Sequence, residues 1–339
     1  MIAIALVGGF GTRLRPLTLD RPKPILPIAG RPFLAHLVER LARAGVTRVV
    51  LSCGFRPDAI SAELGDEWAG IPIDYHVEPE PLGTAGAIRF AALAAGVDEP
   101  FLALNGDVLA TFEPADLVGF HRSRNAKATI ALTPVEEPSR YGLVLVDATG
   151  EVASFLEKPG DSELESVAEP FLINAGSYVL DPVVLDAIPA GRSVSIEREV
   201  FPSLIGLGLY AWEAPGYWND IGTPQSYLSG NLEILDGQGR SIAAGARVEG
   251  ELTGPCHVGA GAIVESGARV ETSVIGAGSV VRAGASVVGS VLHERVTVGE
   301  HAHLRGAVVG HDAVIGPYDV LPTGAIVGPR PDTDGEGAR

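Results

Sequence analysis

A periodic pattern of aliphatic residues in the last third of the chain restricts the fold more than any other feature of the sequence. After residue 240, short hydrophobic steps recur every six residues, with Gly and Ala between them. Every third step is one residue short, so the pattern repeats every 17 residues, as from Val258 to Ile275. The aliphatic series is Val258, Val264, Val270, Ile275, Val281, Val287, Leu292, Val298, Leu304, Val309, Ile315 and Leu321.

A period of three six-residue steps less one residue corresponds to one turn of a triangular coil. Hexapeptide repeats of this kind are typical of a left-handed parallel β-helix, whose stacked turns bury a continuous aliphatic column. A Gly-rich linker would not keep aliphatic residues in phase over a dozen steps. We therefore expect a β-helix over residues 240–328, followed by a polar, disordered tail over residues 329–339.

Residues 1–235 show a different pattern, in which strand and helix signals alternate. Apolar runs predict strands at residues 2–7, 48–53, 73–77 and 101–104, and helices are predicted at residues 33–42 and 85–95. Such alternation predicts a Rossmann-like α/β domain with a mostly parallel sheet and helices on both faces. Because ligands of such sheets bind beyond the carboxyl ends of the strands, we expect Gly8, Gly9 and Asp107 to line one crevice.

Charge and composition exclude several classes of protein. The formal net charge of −17, from 25 basic and 42 acidic residues, argues against nucleic acid or an anionic membrane as partner. No apolar run reaches the roughly 18 residues that a membrane helix needs, and the first apolar stretch lacks the features of a signal peptide. Cys53 and Cys256 have no ligand or disulfide spacing, so we expect them to be core residues of a cytoplasmic protein.

Lysine is rare in this chain, and its positions are informative. The three lysines are Lys23, Lys127 and Lys158. Lys23 and Lys158 each precede a proline, which predicts an extended backbone on a stiffened loop. A compact, flexible point charge suits a phosphate group, so these two lysines are candidates for binding an anionic ligand.

A glycine-rich loop, Gly8-Gly9-Phe10-Gly11-Thr12-Arg13, directly follows the first predicted strand. It does not fit a dinucleotide fingerprint, because Leu14 stands where a third small residue would be needed. It has no Gly-Lys-Ser/Thr run, so it is not a P-loop. The remaining interpretation is a loop whose backbone N–H groups can surround a phosphate, with Arg13 placed to neutralise it.

Taken with runs further along the chain, this loop resembles the signature of the sugar-1-phosphate nucleotidyltransferases. The resemblance covers residues 1–235, and a hexapeptide coil is also common in that family. Three runs most resemble the branch that uses GTP and mannose 1-phosphate: Pro81-Leu82-Gly83-Thr84-Ala85-Gly86, the run from Glu136 to Gly142 and the run from Ser195 to Pro202. The other matching runs are Pro22-Lys23-Pro24, Leu104-Asn105-Gly106-Asp107, Tyr141-Gly142, Phe155-Leu156-Glu157-Lys158-Pro159, Asn174-Ala175-Gly176 and Trp218-Asn219-Asp220-Ile221-Gly222.

The resemblance implies a reaction and a set of site residues. A sugar-1-phosphate oxygen would attack the α-phosphorus of a nucleoside triphosphate, with release of pyrophosphate, and catalysis would consist mostly of positioning and charge neutralisation. The implied catalytic residues are Arg13, Lys23, Asp107 and Asp220, of which the two aspartates would bind Mg²⁺. The implied nucleotide-binding residues are Gly8, Gly9, Gly11, Thr12, Arg13, Lys23, Glu78, Gly83 and Thr84. The implied sugar-phosphate-binding residues are Gly142, Glu157, Lys158, Asn174 and Gly176.

Several alternatives remain open at this point. Within the class, the chain could be a uridylyl- or thymidylyltransferase acting on glucose 1-phosphate; outside it, a noncatalytic regulatory homologue. Glu78 favours guanine, because a carboxylate can accept hydrogen bonds from both N1–H and the N2 amino group, but Glu78 could also be a solvated loop residue. Four histidines of the coil, His293, His301, His303 and His311, resemble those of hexapeptide acyltransferases, although nothing else in the sequence indicates an acyl donor.

The coil also bears on assembly. Exposed faces of stacked coils commonly pack against a copy of the same chain, and none of the runs quoted above lies in the coil. We therefore expect a homo-oligomer in which the coil serves assembly and stability.

Overall fold

The structure, a computed structural model, describes residues 1–157, 159–164, 167 and 169–330, with residues 140, 157, 161 and 163 described by their backbone alone. The helices are α1 (Phe33–Arg43), α2 (Pro57–Leu64), α3 (Gly83–Ala95), α4 (Pro114–Arg124), α5 (Asp161–Leu164), α6 (Phe201–Leu204) and α7 (Pro224–Gln238). Short 3₁₀ turns occur at Thr12–Leu14, Lys23–Ile25, Pro138–Arg140 and Pro182–Ala187, and one π turn at Ile196–Val200.

The first fourteen strands are β1 (Ile2–Leu6), β2 (Pro27–Ile28), β3 (Arg31–Pro32), β4 (Arg48–Cys53), β5 (Glu67–Trp68), β6 (Ile71–Val77), β7 (Phe101–Asn105), β8 (Leu109–Ala110), β9 (Ala128–Val135), β10 (Gly142–Val146), β11 (Val152–Glu157), β12 (Phe171–Leu180), β13 (Leu209–Glu213) and β14 (Trp218–Asn219). The remaining sixteen are β15 (Ser241–Ile242), β16 (Arg247–Val248), β17 (Glu251–Thr253), β18 (His257–Val258), β19 (Ile263–Val264), β20 (Arg269–Glu271), β21 (Val274–Ile275), β22 (Val280–Val281), β23 (Ser286–Val288), β24 (Val291–Leu292), β25 (Thr297–Val298), β26 (His303–Arg305), β27 (Val308–Val309), β28 (Val314–Ile315), β29 (Val320–Leu321) and β30 (Ile326–Val327).

Contacts divide the chain into two compact units. The first unit comprises residues 1–9 and 34–220, and the second comprises residues 10–33 and the chain from residue 221 onward. The glycine-rich loop is therefore divided, with Gly8 and Gly9 in the first unit and Gly11 to Arg13 in the second. The boundary predicted near residues 235–240 marks the start of the repeats in the sequence and stays a prediction.

The first unit is built on a mixed ten-stranded sheet. Its parallel part has the strand order β7, β1, β4, β6, which confirms the four strands predicted from apolar runs. Strand β12 joins β7 in antiparallel orientation and extends the sheet to β9 and β10. Helix α3 packs on β1 and β4, where Ile88 and Ala91 are buried with Ile4 and Val50. Part of the core of this unit thus lies between α3 and the parallel strands.

The second unit contains the coil and confirms the repeat. Three parallel sheets run along it, made by every third strand from β15, β16 and β17. Val258 lies opposite Ile275, Ile275 opposite Leu292, and Leu292 opposite Val309, so the 17-residue period is the register of the coil. These residues line one buried aliphatic column. The hairpin of β2 and β3 and helix α7 belong to the same unit.

Both cysteines are free and buried, as predicted. Burial, and then the charge of Glu78, raise the pKa of the Cys53 thiol to about 12, so Cys53 is a neutral core residue. Within the described ranges, none of the helices has the length and apolar character that a membrane crossing requires.

Candidate active site

Close backbone packing shapes the carboxyl end of the parallel sheet. A Cβ on Gly54 would lie 2.9 Å from the carbonyl oxygen of Gly8, and a Cβ on Gly106 would lie 2.6 Å from Cγ1 of Val7. Gly106 also donates its backbone N–H to Leu6 at 2.9 Å. The turns after β1, β4 and β7 therefore pack backbone against backbone, which side chains at the glycines would prevent.

Asp107 and Asp220 are brought together by a short antiparallel ladder. Asn219 of β14 lies opposite Leu109 of β8, and Trp218 lies opposite Ala110. Asp220 directly follows β14, and Asp107 lies two residues before β8, so the ladder brings the two segments that carry them side by side. Both aspartates are half-buried. Neighbouring carboxylates are ligands that a hard divalent cation prefers.

The region predicted to bind sugar phosphate lies on β12, next to the turn that carries Asp107. Oδ1 of Asn174 accepts a hydrogen bond from the backbone N–H of Gly176 at 2.9 Å. Gly176 has a φ of +70°, and a Cβ there would lie 2.5 Å from Nδ2 of Asn105. The bulged segment of β12 is thus packed against Asn105, two residues before Asp107.

Glu78 follows β6 and is half-buried rather than solvated. Its Oε1 accepts a hydrogen bond from Oγ of Ser52, and its Oε2 accepts one from the backbone N–H of Leu82, both at 3.1 Å. A Cβ on Gly8 would lie 3.5 Å from Oε1, so the carboxylate is beside the start of the glycine loop. An ionised carboxylate has about four acceptor positions, so these two bonds leave capacity for further donors.

Gly83 and Thr84 begin α3 and are engaged within the protein. A Cβ on Gly83, whose φ is +71°, would lie 2.6 Å from the carbonyl oxygen of Val194, which also accepts from the backbone N–H of Ala85 at 2.9 Å. Oγ1 of Thr84 donates to Oε2 of Glu197 at 3.0 Å and accepts from the N–H of Ile196 at 2.8 Å. These contacts fix the start of the helix.

A buried tyrosine connects this region with Asn174. The hydroxyl of Tyr178 accepts a hydrogen bond from Nδ2 of Asn174 at 2.9 Å. Its own proton is directed to Glu197, and burial, followed by the charge of Glu197, raises the pKa of Tyr178 well above its usual range. A chain of side chains therefore runs from Asn174 through Tyr178 and Glu197 to Thr84.

Gly142 begins β10 and lies opposite Glu157 of β11. The preceding Tyr141 packs edge to face on Trp218, with ring centroids 5.6 Å apart. Nε1 of Trp218 donates to the carbonyl oxygen of Ala175 at 2.9 Å. Trp218 is thus a packing residue that joins the strands carrying Gly142 and Asn174. Lys158 and the side chain of Glu157 lie outside the described residues, as does the tail from residue 331.

The other predicted nucleotide-binding residues form one loop in the second unit. Gly11 has a φ of +60°, and its carbonyl accepts from Oγ1 of Thr18 at 2.8 Å. Thr12 and Arg13 are exposed, whereas the side chain of Lys23 is only 6% exposed. A Cβ on Gly11 would lie 3.1 Å from Cβ of Lys23, so the loop brings these residues together.

The predicted extended backbone at Lys23 is wrong. Lys23 begins a 3₁₀ turn, in which the N–H groups of Ile25 and Leu26 donate to the carbonyls of Pro22 and Lys23, both at 3.1 Å. These two hydrogen bonds outweigh the preference of a residue before proline for extended backbone.

Asn105, Ser52, Tyr178 and Glu197 were not assigned from the sequence. Asn105 and Glu197 lie inside runs that resemble the family signature, so the sequence contains a signal from which both could have been proposed as site residues. Ser52 and Tyr178 lie in buried strands, where nothing distinguishes them from ordinary core positions.

Comparison with known proteins now identifies the class. Residues 2–237 match the family model of the nucleotidyl transferases, and residues 244–338 match a model described as a GlmU-like C-terminal hexapeptide region. The chain belongs to the nucleotidyl transferase family and is an enzyme of that family.

Curated relatives indicate which branch of this family the chain resembles. The chain is 40% identical over 294 residues to a mannose-1-phosphate guanylyltransferase of Mycobacterium tuberculosis, covering 80% of this chain and 79% of the relative. It is 41% identical over 299 residues to a probable mannose-1-phosphate guanylyltransferase 1 of Oryza sativa subsp. japonica, covering 81% of each. A mannose-1-phosphate guanylyltransferase catalytic subunit beta of Dictyostelium discoideum is 43% identical over 234 residues, which are 68% of this chain and 63% of the relative.

Proposed function

We propose that the enzyme transfers a guanylyl group from GTP to mannose 1-phosphate, forming GDP-mannose and releasing pyrophosphate. The observation that carries this proposal is the likeness to relatives named mannose-1-phosphate guanylyltransferase, which extends over about four-fifths of the chain. The side chains available at the carboxyl end of the sheet support the same chemistry.

The reaction joins two anions, so its barrier is lowered mainly by neutralisation and alignment. In our proposal Arg13 binds the departing pyrophosphate through its planar fork, and Lys23 provides a point charge near the α-phosphate. Arg13 is exposed, whereas Lys23 is buried within the loop, and this difference supports separate roles for the two cations. Backbone N–H groups of Gly8, Gly9, Gly11 and Thr12 would bind the remaining phosphate oxygens.

Asp107 and Asp220 would hold Mg²⁺. Among the residues that the structure describes, no three His, Cys, Asp or Glu side chains cluster as metal ligands, so the remaining positions would be filled by substrate phosphates and water, as is usual for Mg²⁺. When bound, such an ion neutralises phosphate charge and orients the phosphates for in-line attack. The β8–β14 ladder, which pairs the segments next to the two aspartates, supports this assignment.

The sugar phosphate would be bound from β10, β11 and β12. Lys158 would bind the phosphate, Glu157 would accept hydrogen bonds from sugar hydroxyls, and Asn174 would accept hydrogen bonds from them or donate to them. Gly142 and Gly176 would let the backbone approach the ring. On the nucleotide side, Glu78 would accept from guanine, and Gly83 and Thr84 would fix the helix start beside it.

A panel of substrates tests the proposal. The protein is mixed with Mg²⁺, each of GTP, UTP, dTTP and ATP, and mannose 1-phosphate or glucose 1-phosphate, and pyrophosphate release is followed. We expect the highest kcat/KM with GTP and mannose 1-phosphate. A preference for UTP or dTTP with glucose 1-phosphate would assign the chain to the other branch of the family, and no release with any pair would indicate a noncatalytic homologue.

A further inference from the structure

The loop that carries Arg13 and Lys23 is held by the coil, in the same compact unit. Near its middle, Arg21 NH1 lies 3.1 Å from both carboxylate oxygens of Glu294, which is 273 residues away in the chain. Both side chains are about three-quarters buried, at 23% and 28% exposure. This partial burial makes the pair stronger than an exposed ion pair.

A second contact lies one residue earlier. Nε2 of His311 lies 2.7 Å from Oδ2 of Asp20, and Nδ1 lies 2.7 Å from Oδ2 of Asp312. The side chain of His311 is 16% exposed. Asp20 comes from the loop, whereas His311 and Asp312 come from the coil, so the imidazole bridges the two.

Further along, the loop continues into contacts with α7 and the coil. The hydroxyl of Tyr227 donates to the carbonyl oxygen of Pro27 and also lies 2.9 Å from Nε2 of His293. The N–H of Ala29 donates to Oδ1 of Asn231 at 2.8 Å. The loop between the glycine run and α1 thus has support along its second half.

We propose that the coil positions this loop for the reaction, with Asp20–His311 and Arg21–Glu294 as two anchors. The four residues are positioning residues, because they act through the loop that carries Arg13 and Lys23. The kinetic part of this inference rests on the proposed function. The anchors give the coil a role in triphosphate use besides assembly.

The His311 anchor has a chemical requirement. Ionised carboxylates only accept hydrogen bonds, so His311 can hold both of them only by donating from its two ring nitrogens. Arg295, bound to Asp312 through two contacts of 2.6 Å, lowers the pKa of Asp312 to about 2, which keeps that carboxylate ionised.

Variants of the full-length protein test the inference. D20A and E294Q each remove one anchor at a partly exposed position, and E265Q is the matched control, since Glu265 pairs with Arg282 within the coil at 2.7 Å. Hydrogen–deuterium exchange of peptides covering residues 10–26 measures loop protection. We expect D20A and E294Q to raise exchange there and to lower kcat/KM for GTP by about threefold to thirtyfold, with KM for mannose 1-phosphate unchanged and E265Q like wild type.

Two results overturn the positioning role itself. One is exchange in D20A and E294Q equal to that in E265Q, and the other is raised exchange with unchanged kinetics for the nucleotide. If the wild type prefers another nucleotide, the proposed function is wrong, and the same comparisons are made with that nucleotide. If it turns over none, exchange alone decides whether the anchors hold the loop.

Discussion

Replacing Gly176 by alanine should disturb the site through Asn105. Gly176 lies in the irregular part of β12, where the register with β9 shifts between Asn174 and Tyr178. Its φ of +70° is in the left-handed region, and its Cβ would meet Nδ2, Cγ and Cβ of Asn105 at 2.5, 3.0 and 3.2 Å. Rotation of the amide would relieve the first contact, but the Cβ of Asn105 cannot rotate away.

The magnitude follows from two terms. A non-glycine residue in the left-handed region costs about 1–2 kcal/mol, and forcing a methyl group into a packed site costs about 1–3 kcal/mol. Asn105 has little room to retreat, because a Cβ on the next residue, Gly106, would already lie 2.8 Å from the carbonyl oxygen of Leu6. The strain is therefore expected to pass along this turn to Asp107. A displacement of about 1 Å in a catalytic group can cost about 10²-fold in rate.

Gly191→Ala is the matched control, because Gly191 is in the same unit and has a φ of +74° with nothing within 4 Å of its Cβ. Urea unfolding gives the stability of each variant, and pyrophosphate release gives turnover. We expect Gly176→Ala to be about 1–3 kcal/mol less stable than Gly191→Ala and about 10²-fold slower. Equal stability and equal turnover in the two variants would refute the argument.

Three further predictions concern charge. Asp107→Asn keeps the side-chain size and removes the charge of a proposed metal ligand, so turnover should fall by about 10²-fold or more with the unfolding midpoint unchanged. Near-normal turnover in this variant, or in chelator, would contradict the proposed role. Glu78→Gln should weaken GTP use by about 1.5–3 kcal/mol and narrow the preference over UTP, and an unchanged ratio of specificity constants would remove Glu78 from base recognition. Burial lowers the pKa of His293 from 6.5 to about 4, so its neutral form stabilises the fold above about pH 6.5, and this contribution is lost as pH falls towards 4. Between about pH 7.5 and 5 the wild type should therefore lose about 2 kcal/mol more unfolding free energy than His293→Gln, and equal losses would be contrary to this assignment.

The elements that repeat or alternate locally were predictable from the sequence. The spacing of Val258 and Ile275 predicted their register, because every turn of the coil buries the same position in one column. Three of the four parallel strands, β1, β4 and β7, were predictable because each contains a short apolar run that is soon followed by glycine. Strand β12 was not predicted, although it is central, because its antiparallel partners β7 and β9 are chosen by contacts between distant segments.

The site was predictable where its residues stand in dense runs. Asp107 and Asp220 were both singled out from the sequence, but their adjacency depends on the two-residue ladder of β8 and β14, which no local pattern indicates. Glu197 lies in one of the matching runs, but its role could not be predicted from the sequence, because its partner Thr84 is 113 residues away in the chain. Local preference also failed at Lys23, where hydrogen bonds of the turn prevailed over the effect of the following proline.

The divided glycine loop shows why a continuous motif is not a single structural part. Gly8 is held by the packing of strand ends against Gly54, whereas Gly11, Arg13 and Lys23 belong with the residues anchored at Glu294 and His311. A substitution in the sheet and a substitution in the coil therefore disturb different halves of one run of sequence. Because Glu294 holds Arg21 in the loop that carries Arg13 and Lys23, we expect variants of coil residues such as Glu294 to affect nucleotide kinetics, even though Glu294 is 273 residues from its partner Arg21 in the chain.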